Sequence, residues 1–246
     1  MSDVSYQLYY WPNIQGRGEL VRLALEDAGA PYVDVARLPA KDGGGVRAMT
    51  KLMRSPGSAL EPFAPPFLRV GEMLIAQTAN ILLFLAPRHG LVPADEASRI
   101  QAHQLQLTIT DLLVEVHDTH HPVGSSLYYE DQKPEAARRA GEFLKERLPK
   151  HLGYLERVLS RAGGQHFVGG GHSYVDLSVF QVMEGLSYAF PRAMKRLAPS
   201  VSLLRDLAGR VASRPRIAAY LASPRRIAFN EQGIFRHYPE LDTDPV

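Results

Sequence analysis

Two consecutive prolines, followed by two short apolar runs and a Gln-Thr pair, leave this chain few choices of local structure around residue 70. Each proline fixes its own φ and pushes the preceding residue into an extended conformation, so Pro65 and Pro66 enter the next element extended. Residues 67–70 and 73–76 have the length and composition of strands, and Gly71-Glu72 is typical of a tight turn. The stretch predicts a β-hairpin, and X-Pro bonds also make a cis peptide accessible at its entry.

The hairpin leads directly into an apolar helix. Thr78 is a residue type favoured at helix N-caps, and the apolar run 79–85 follows it. A helix N-terminus carries unpaired N–H groups and positive potential, so it suits a carboxylate. The stretch therefore predicts an extended backbone edge for a peptide next to a pocket for an anion.

This stretch resembles the glutathione-binding motif of the cytosolic glutathione transferases. Pro66 stands where that family has a cis-proline, and Gln77-Thr78 stands where the family holds the γ-glutamyl end of glutathione. The resemblance also implies that the backbone of Pro65 contacts the cysteinyl part of glutathione. Proline has no N–H, so only the Pro65 carbonyl can serve, which departs from the family pattern. An ordinary hairpin entering a helix is the alternative interpretation.

Composition excludes several classes of protein. The chain has 246 residues, enough for two domains, a net charge of +2 and no cysteine. The net charge is too small to indicate nucleic-acid binding. Basic pairs such as Arg225-Arg226 are expected on solvent-exposed faces. Without cysteine there is no disulfide, thiolate metal ligand or cysteine nucleophile. No signal-peptide pattern or apolar run of membrane length is recognised, so we expect a cytoplasmic protein without a membrane partner.

The N-terminal part predicts a thioredoxin-like α/β domain, assigned to residues 1–87. An aromatic strand at 6–11 precedes a helix at 17–28, which Gly29 and Pro31 should end, and a second strand lies at 32–35. The helix crossover makes these strands parallel, and the later hairpin adds an antiparallel pair. Between them a short helix is expected at 46–53, broken by Ser55-Pro56-Gly57-Ser58.

The remainder predicts an all-α domain at residues 98–246, joined through a linker over 86–97. Periodic apolar residues mark helices at 105–116, 134–160, 173–186, 201–211 and 217–221. Pro149 predicts a kink in the second of these helices. Ser173 with Asp176 is a capping box before the third, and it matches a second signature of the same family. The tail from 225 has no clear period, and its apolar residues should pack on the cleft.

Tyr10 is the candidate catalytic residue. Glutathione is a strong nucleophile only as a thiolate, and a phenol, whose pKa is about 10, stays protonated and can donate a hydrogen bond to it. Tyr10 followed by Trp11 resembles the first strand of the tyrosine-dependent classes, although the loop before Arg17 is one residue longer than in relatives. Adjacent strand residues face opposite ways, so only one of Tyr9 and Tyr10 can reach the ligand. Packing in the sheet is the alternative for both.

The resemblance implies further glutathione contacts at Trp11, Arg17, Lys51 and Asp111. Arg17 orients the thiolate region or simply pairs with Glu19 or an inter-domain carboxylate. Lys51 suits the glycine carboxylate, and a solvated lysine is the alternative. Asp111 stands close to where several dimeric relatives send an aspartate across the interface to the γ-glutamyl amine, and a plain surface aspartate is the alternative.

A second-substrate pocket is expected near the end of the first long helix and the tail, with Trp11, His117, Tyr128 and Phe235 as lining residues. His117 and His121 would share a helix face, as metal ligands do. Pro122 and the lack of a second ligand cluster favour a polar helix terminus instead. We therefore expect no metal.

Together these features are similar to a tyrosine-type, sigma-like cytosolic glutathione transferase with thioredoxin-like and all-helical domains. The resemblance implies a homodimeric, cytoplasmic detoxification enzyme that uses glutathione as co-substrate to attack an apolar electrophile. Glutathione-dependent isomerisation or peroxide reduction is a second hypothesis. A non-catalytic glutathione-binding or protein-interaction module is a third, motivated by the missing Pro65 N–H and the longer loop.

Overall fold

A mixed four-stranded sheet forms the N-terminal half of the computed structural model, which describes residues 5–54 and 61–243. Its strands are β1 (Tyr6–Tyr9), β2 (Tyr32–Asp34), β3 (Phe67–Val70) and β4 (Met73–Ala76). Their order is β2-β1-β3-β4, with β1 parallel to β2 and antiparallel to β3. The hairpin predicted from the double proline is confirmed at its predicted residues. The break predicted at Ser55-Pro56-Gly57-Ser58 lies outside the described residues.

Three helices cover the sheet: α1 (Gly18–Ala28), α2 (Gly45–Met53) and α3 (Thr78–Leu85). Alternation along β1 sends Leu8 into a core shared with α1 and α3, while Tyr9 packs with Met49 of α2 on the opposite face. Helix α1 ends where Gly29 adopts φ 64°, a left-handed conformation that favours glycine. The element order and sheet topology confirm the thioredoxin-like α/β prediction.

The C-terminal half is helical, as predicted. Its helices are α4 (Glu96–Asp118), α5 (Lys133–Glu142), α6 (Leu148–Arg161), α7 (Tyr174–Ala189), α8 (Pro191–Leu197), α9 (Ser202–Ala212) and α10 (Pro215–Leu221). Residues 143–147, between α5 and α6, are π-helical. This irregularity lies just before Pro149, whose missing N–H removes an α-helical hydrogen bond. Helix α8 was not predicted from the sequence.

The capping box predicted at Ser173 and Asp176 is confirmed. The Asp176 carboxylate is fully buried and accepts hydrogen bonds from the Ser173 N–H at 2.6 Å and the Phe167 N–H at 3.2 Å. It therefore fixes the start of α7, the central helix of this half.

One apolar core runs through both halves of the molecule. Leu20 and Leu23 of α1 share a buried cluster with residues from α4 to α10. Leu91 and Val92 in the predicted linker are buried as well, so the connection is packed against the core. We retain 1–87 and 98–246 as a proposed division of the chain. None of the helices in the described part is both long and apolar enough to cross a membrane.

The tail after α10 packs back over the N-terminal half. Ile234 and Phe235 are buried, which confirms that the tail's apolar residues pack on the body of the molecule. The expectation that Arg225-Arg226 is a solvated pair is wrong for Arg226, which pairs with the buried Glu19. Because the segment around Arg225-Arg226 has no apolar period, the sequence does not indicate that Arg226 pairs with a buried carboxylate.

Candidate functional site

Tyr10 lies immediately after β1 and is 4% exposed. The loop that follows folds closely around its side chain. A Cβ atom placed on Gly16 would lie 2.1 Å from the Tyr10 hydroxyl oxygen, and one on Gly18 would lie 2.4 Å from ring Cδ1. Glycine at both positions therefore allows the loop backbone to reach the phenol.

The loop supplies a hydrogen-bond donor to this phenol. The Arg17 N–H donates to the Tyr10 hydroxyl oxygen at 3.0 Å. Burial raises the pKa of the Tyr10 phenol, while the N–H groups of Arg17 and Gly18 and the charges of Arg17 and Arg22 oppose that rise. The net rise keeps the group protonated at neutral pH. Because its oxygen already accepts from the loop, the phenol proton is left to donate to another group.

Tyr9 points the other way. Its ring stacks on Phe67 with centroids 4.7 Å apart, and its hydroxyl donates to the Gln7 side chain. These contacts place Tyr9 on the α2 side of the sheet. The alternation expected from the strand is thus present, and the choice of Tyr10 as the residue that meets a ligand stays a prediction.

A fully buried arginine lies below Tyr10, which the sequence analysis missed. Arg22 pairs with Glu19 at 3.1 Å and with Asp34 at 2.8 Å. Its guanidinium carbon is 5.8 Å from the Tyr10 ring centroid. The alternative that Arg17 pairs with Glu19 is wrong, because Glu19 is engaged by Arg22 and Arg226.

A candidate anion site lies at the start of α3. Gln77 has φ 68° and is, within residues 5–54 and 61–243, the one non-glycine residue with positive φ. Such a conformation is costly and is often retained where it serves a ligand. Gln77 rather than Thr78 holds the N-cap position, so the predicted cap is wrong by one residue. Thr78 is the first helical residue instead.

Thr78 presents an orphan polar group at this helix start. Its Oγ1 is buried and has no hydrogen-bond partner among the described residues. A carboxylate bound at the helix N-terminus would accept from this hydroxyl and from free backbone N–H groups. The Pro65–Pro66 bond, which precedes β3, is cis. The residues therefore fit an extended ligand with a carboxylate at one end.

Comparison with known proteins agrees with this geometry. The family model for the glutathione S-transferase C-terminal domain matches residues 117–224. A glutathione S-transferase of Plasmodium yoelii yoelii is 23% identical over 216 residues, 87% of this chain and 92% of that protein. Glutathione S-transferase P 1 of Xenopus laevis is 27% identical over 227 residues, 90% of this chain and 93% of that protein.

A solved structure extends the similarity to the fold. The Pi-class glutathione S-transferase of Onchocerca volvulus superposes with a TM-score of 0.64 at 22% identity, over 88% of this chain and 91% of that one. The family model covers residues 117–224, within the helical half, and the relatives align along most of the chain. These matches show that the chain is similar to glutathione S-transferases along most of its length.

The other residues singled out from the sequence differ in their exposure. Lys51 is exposed on α2, Asp111 is exposed on α4, and Trp11 is 41% exposed beside Tyr10 in sequence. Tyr128 is 77% exposed, and its N–H donates to Asp131. Phe235 is buried, and it lines a small void together with Gln15 and Gly16 of the loop after Tyr10. Their assigned roles stay predictions.

His117 belongs to a cluster of three imidazoles at the end of α4. Its ring centroid is 5.1 Å from that of His120 and 5.0 Å from that of His121. His120 Nε2 lies 2.8 Å from the Ile234 carbonyl, so this nitrogen carries the proton, and His120 Nδ1 must then accept from His121 Nδ1 at 2.5 Å. This is a hydrogen-bonded helix terminus, the interpretation favoured from the sequence, and the absence of a metal stays a prediction.

Burial holds this cluster neutral. Burial first, with the nearby Arg236 charge as a further cause, lowers the pKa of His120 to about 3 and of His121 to about 4. The pKa of His117 is also lowered, by burial first and then by the Arg17 charge. The cluster connects α4 to the tail, so its ionisation would weaken the contact at Ile234.

We expect the stability of the protein to fall in acid partly because of His120. The pKa of His120 is about 6.5 in the unfolded chain and about 3 in the folded protein. Between these pH values the unfolded chain is protonated at His120 and the folded protein is not, which favours unfolding. The contribution to the free energy of unfolding is therefore present above pH 6.5 and lost as the pH falls. The variant His120→Gln keeps an N–H donor without a titrating group. Urea unfolding gives the free energy of unfolding at pH 7 and at pH 4. Its loss between these two pH values should be smaller in His120→Gln than in the wild type by on the order of 2 kcal/mol. Equal losses would contradict this assignment.

A second group of potential metal ligands lies away from the Tyr10 site. His166, His172 and Asp176 bring ligand atoms within 4.8 Å of one another. Both Asp176 oxygens already accept backbone N–H groups, one from Phe167 and one from Ser173 at the start of α7. His172 Nε2 also lies 3.2 Å from Asp27, at the end of α1. The Asp176 and Asp27 contacts join the two halves of the molecule here, whereas His166 Nδ1 is buried with no hydrogen-bond partner among the described residues.

Proposed function

We propose that the chain is a glutathione transferase that conjugates the thiolate of glutathione to an apolar electrophile. The observation that carries this proposal is the Tyr10 phenol, which is buried, protonated and hydrogen-bonded by the Arg17 N–H. A phenol in this state donates to a thiolate and favours it over the thiol. Glutathione is then a co-substrate, and the reaction needs no metal.

Glutathione would lie extended along the entry to β3. Gln77 and Thr78 at the start of α3 would hold its γ-glutamyl carboxylate, and the Thr78 hydroxyl would gain the partner it lacks. The Pro65 carbonyl, before the cis bond to Pro66, would accept the cysteinyl N–H. Lys51 on α2 would pair with the glycine carboxylate. This arrangement brings the thiol towards Tyr10.

The chemical step is a nucleophilic displacement or addition. The thiol proton leaves to solvent, and the Tyr10 hydroxyl hydrogen-bonds the thiolate that remains. The sulfur forms a bond to the electrophilic carbon, and in a displacement the leaving group departs with its electron pair. Trp11, His117, Tyr128 and Phe235 would surround the electrophile, and Arg17 would orient the thiolate region through its charge and its backbone N–H.

A homodimer is proposed from an exposed apolar surface. Phe63, just before the double proline, is 92% exposed. On α4, Ile100, Leu107 and Val114 are 60%, 47% and 44% exposed and recur every seven residues, which places them on one helix face. Asp111 lies on the same face. A second copy of this chain packed there would cover the surface and bring Asp111 towards the partner's γ-glutamyl amine.

We expect Leu107→Glu to convert the dimer into a monomer, because a charge would be buried in the apolar contact. Light scattering with gel filtration should report about half the wild-type mass. The matched control is Val123→Glu, because Val123 is 63% exposed in the segment after α4. It should leave the mass unchanged. A monomeric wild type, or a dimeric Leu107→Glu variant, would argue against this interface.

The proposed activity is tested with glutathione and a panel of electrophiles that includes a chlorodinitrobenzene-type acceptor. Conjugation would support the transferase. Turnover only with peroxides or isomerisable substrates would support the second enzymatic hypothesis, which the same site accommodates. Stabilisation by glutathione without turnover on the panel would support the non-catalytic module. A sigma-like class, a role in detoxification and a cytoplasmic location remain predictions from the sequence.

A further inference from the structure

The tail holds the loop that carries the Arg17 N–H. The Asn230 side-chain amide donates to the Asn13 carbonyl at 2.8 Å, and the Gln15 side-chain amide donates to the Ile227 carbonyl at 2.5 Å. Gln15 is 5% exposed, so the second contact is buried. The stretch 226–235 therefore lies against the loop that follows β1, on which Tyr10 depends.

A chain of buried polar side chains continues from this contact across the two halves of the molecule. Gln181 of α7 donates to the Gln15 side-chain oxygen at 2.6 Å, and its own oxygen accepts from Arg226 at 2.9 Å. Arg226 also pairs with Glu19, in the first turn of α1. Gln181 and Glu19 are both fully buried. Buried, satisfied polar networks of this kind fix one arrangement of the groups they join.

The network ends two residues from the donor to Tyr10. Gln15 precedes Gly16, and the next residue, Arg17, donates its N–H to the phenol. If the Gln15 side chain loses its partners, the loop keeps the bond from the Arg22 side chain to the Ile14 carbonyl, the Asn13 contact with the tail and the Glu19 N–H bond to the Gln15 carbonyl, but loses its link to α7 and Arg226. The hydrogen bond from the Arg17 N–H to the Tyr10 oxygen would then be formed for a smaller fraction of the time.

We propose that Arg226, Gln181 and Gln15 are positioning residues through which the C-terminal tail sets how strongly Tyr10 stabilises the glutathione thiolate. The inference rests on the proposed function and adds to it a role for the tail. None of the three touches the reacting atoms. Each acts through the loop, because a phenol that accepts the Arg17 N–H is the better donor to a thiolate.

The test compares Arg226→Met with Arg225→Met. Arg225 is the neighbouring tail arginine, and it pairs with Glu26 outside this network. The bound glutathione thiol is titrated by the ultraviolet absorbance of its thiolate. We expect its pKa to rise by about one unit in Arg226→Met, which lowers the thiolate fraction at neutral pH about tenfold. The deficit in kcat/KM should shrink as the pH rises, whereas a purely structural defect would persist. Arg225→Met should match the wild type.

A second variant and a second measurement keep the test decisive. Gln15→Met removes the other end of the network and should give the same rise in the pKa of the bound thiol. It replaces Arg226→Met if that variant does not fold. Hydrogen exchange of the Arg17 amide, measured without glutathione, should be faster in both variants and unchanged in Arg225→Met. Unchanged exchange together with an unchanged thiol pKa would overturn the proposal. A wild type that never ionises glutathione would instead refute the proposed function, while the exchange measurement still tests the positioning role.

Discussion

Replacing Tyr10 by phenylalanine should lower kcat/KM for conjugation of glutathione to a chlorodinitrobenzene-type acceptor about a hundredfold at neutral pH. The change removes the hydroxyl that donates to the thiolate. It keeps the ring that packs on Gly16 and Gly18, but it also removes the acceptor of the Arg17 N–H. Because the loss concerns ionisation of the thiol, the rate of Tyr10→Phe should keep rising with pH after the wild-type rate has levelled off.

Tyr9→Phe is the matched control, since the two tyrosines are adjacent and both buried. The Tyr9 hydroxyl donates to Gln7 on the other side of the sheet. Its removal should leave the rate and the pH profile close to those of the wild type. Full activity in Tyr10→Phe, or a large loss in Tyr9→Phe instead, would refute the assignment of Tyr10.

The largest expected effect on stability is that of Asp176→Ala, which should lower the free energy of unfolding by about 3 kcal/mol. The carboxylate is fully buried and accepts the N–H groups of Phe167 and Ser173 and the Ser173 hydroxyl. Alanine would leave these donors without partners inside the protein. Urea unfolding followed by circular dichroism measures the change.

Asp95→Ala provides a comparison at an exposed cap. Asp95 accepts the Ser98 N–H at 2.8 Å at the start of α4, where water can replace the lost contact. Its removal should cost much less than that of Asp176. Similar losses at the two positions would show that burial does not govern the contribution of the Asp176 carboxylate.

The elements predicted best from the sequence are those in which proline and glycine limit the backbone. The hairpin after Pro66 appears at its predicted residues, and α1 ends at Gly29. The capping box at Ser173 was also predictable, because the side-chain pattern that closes it is local. In each case neighbouring residues alone decide the conformation.

Contacts made by tertiary packing and unusual backbone conformations could not be predicted in this way. Arg22 lies in an amphipathic helix, where a charged residue is ordinarily expected at the surface, yet it is fully buried between Glu19 and Asp34. Arg226 reaches Glu19 from 207 positions away. The N-cap of α3 was assigned to Thr78 because propensity favours threonine at that position. In the structure the N-cap is Gln77, which has a positive φ, and Thr78 is the first helical residue.

Calorimetric titration of the protein with glutathione tests the central claim most directly. We predict binding at one site per chain, with a proton released to the buffer as the thiol ionises at neutral pH. The heat should therefore depend on the ionisation enthalpy of the buffer, and Gln77→Ala should weaken the binding. No heat at millimolar glutathione, or binding without proton release, would contradict a site in which Tyr10 stabilises the thiolate.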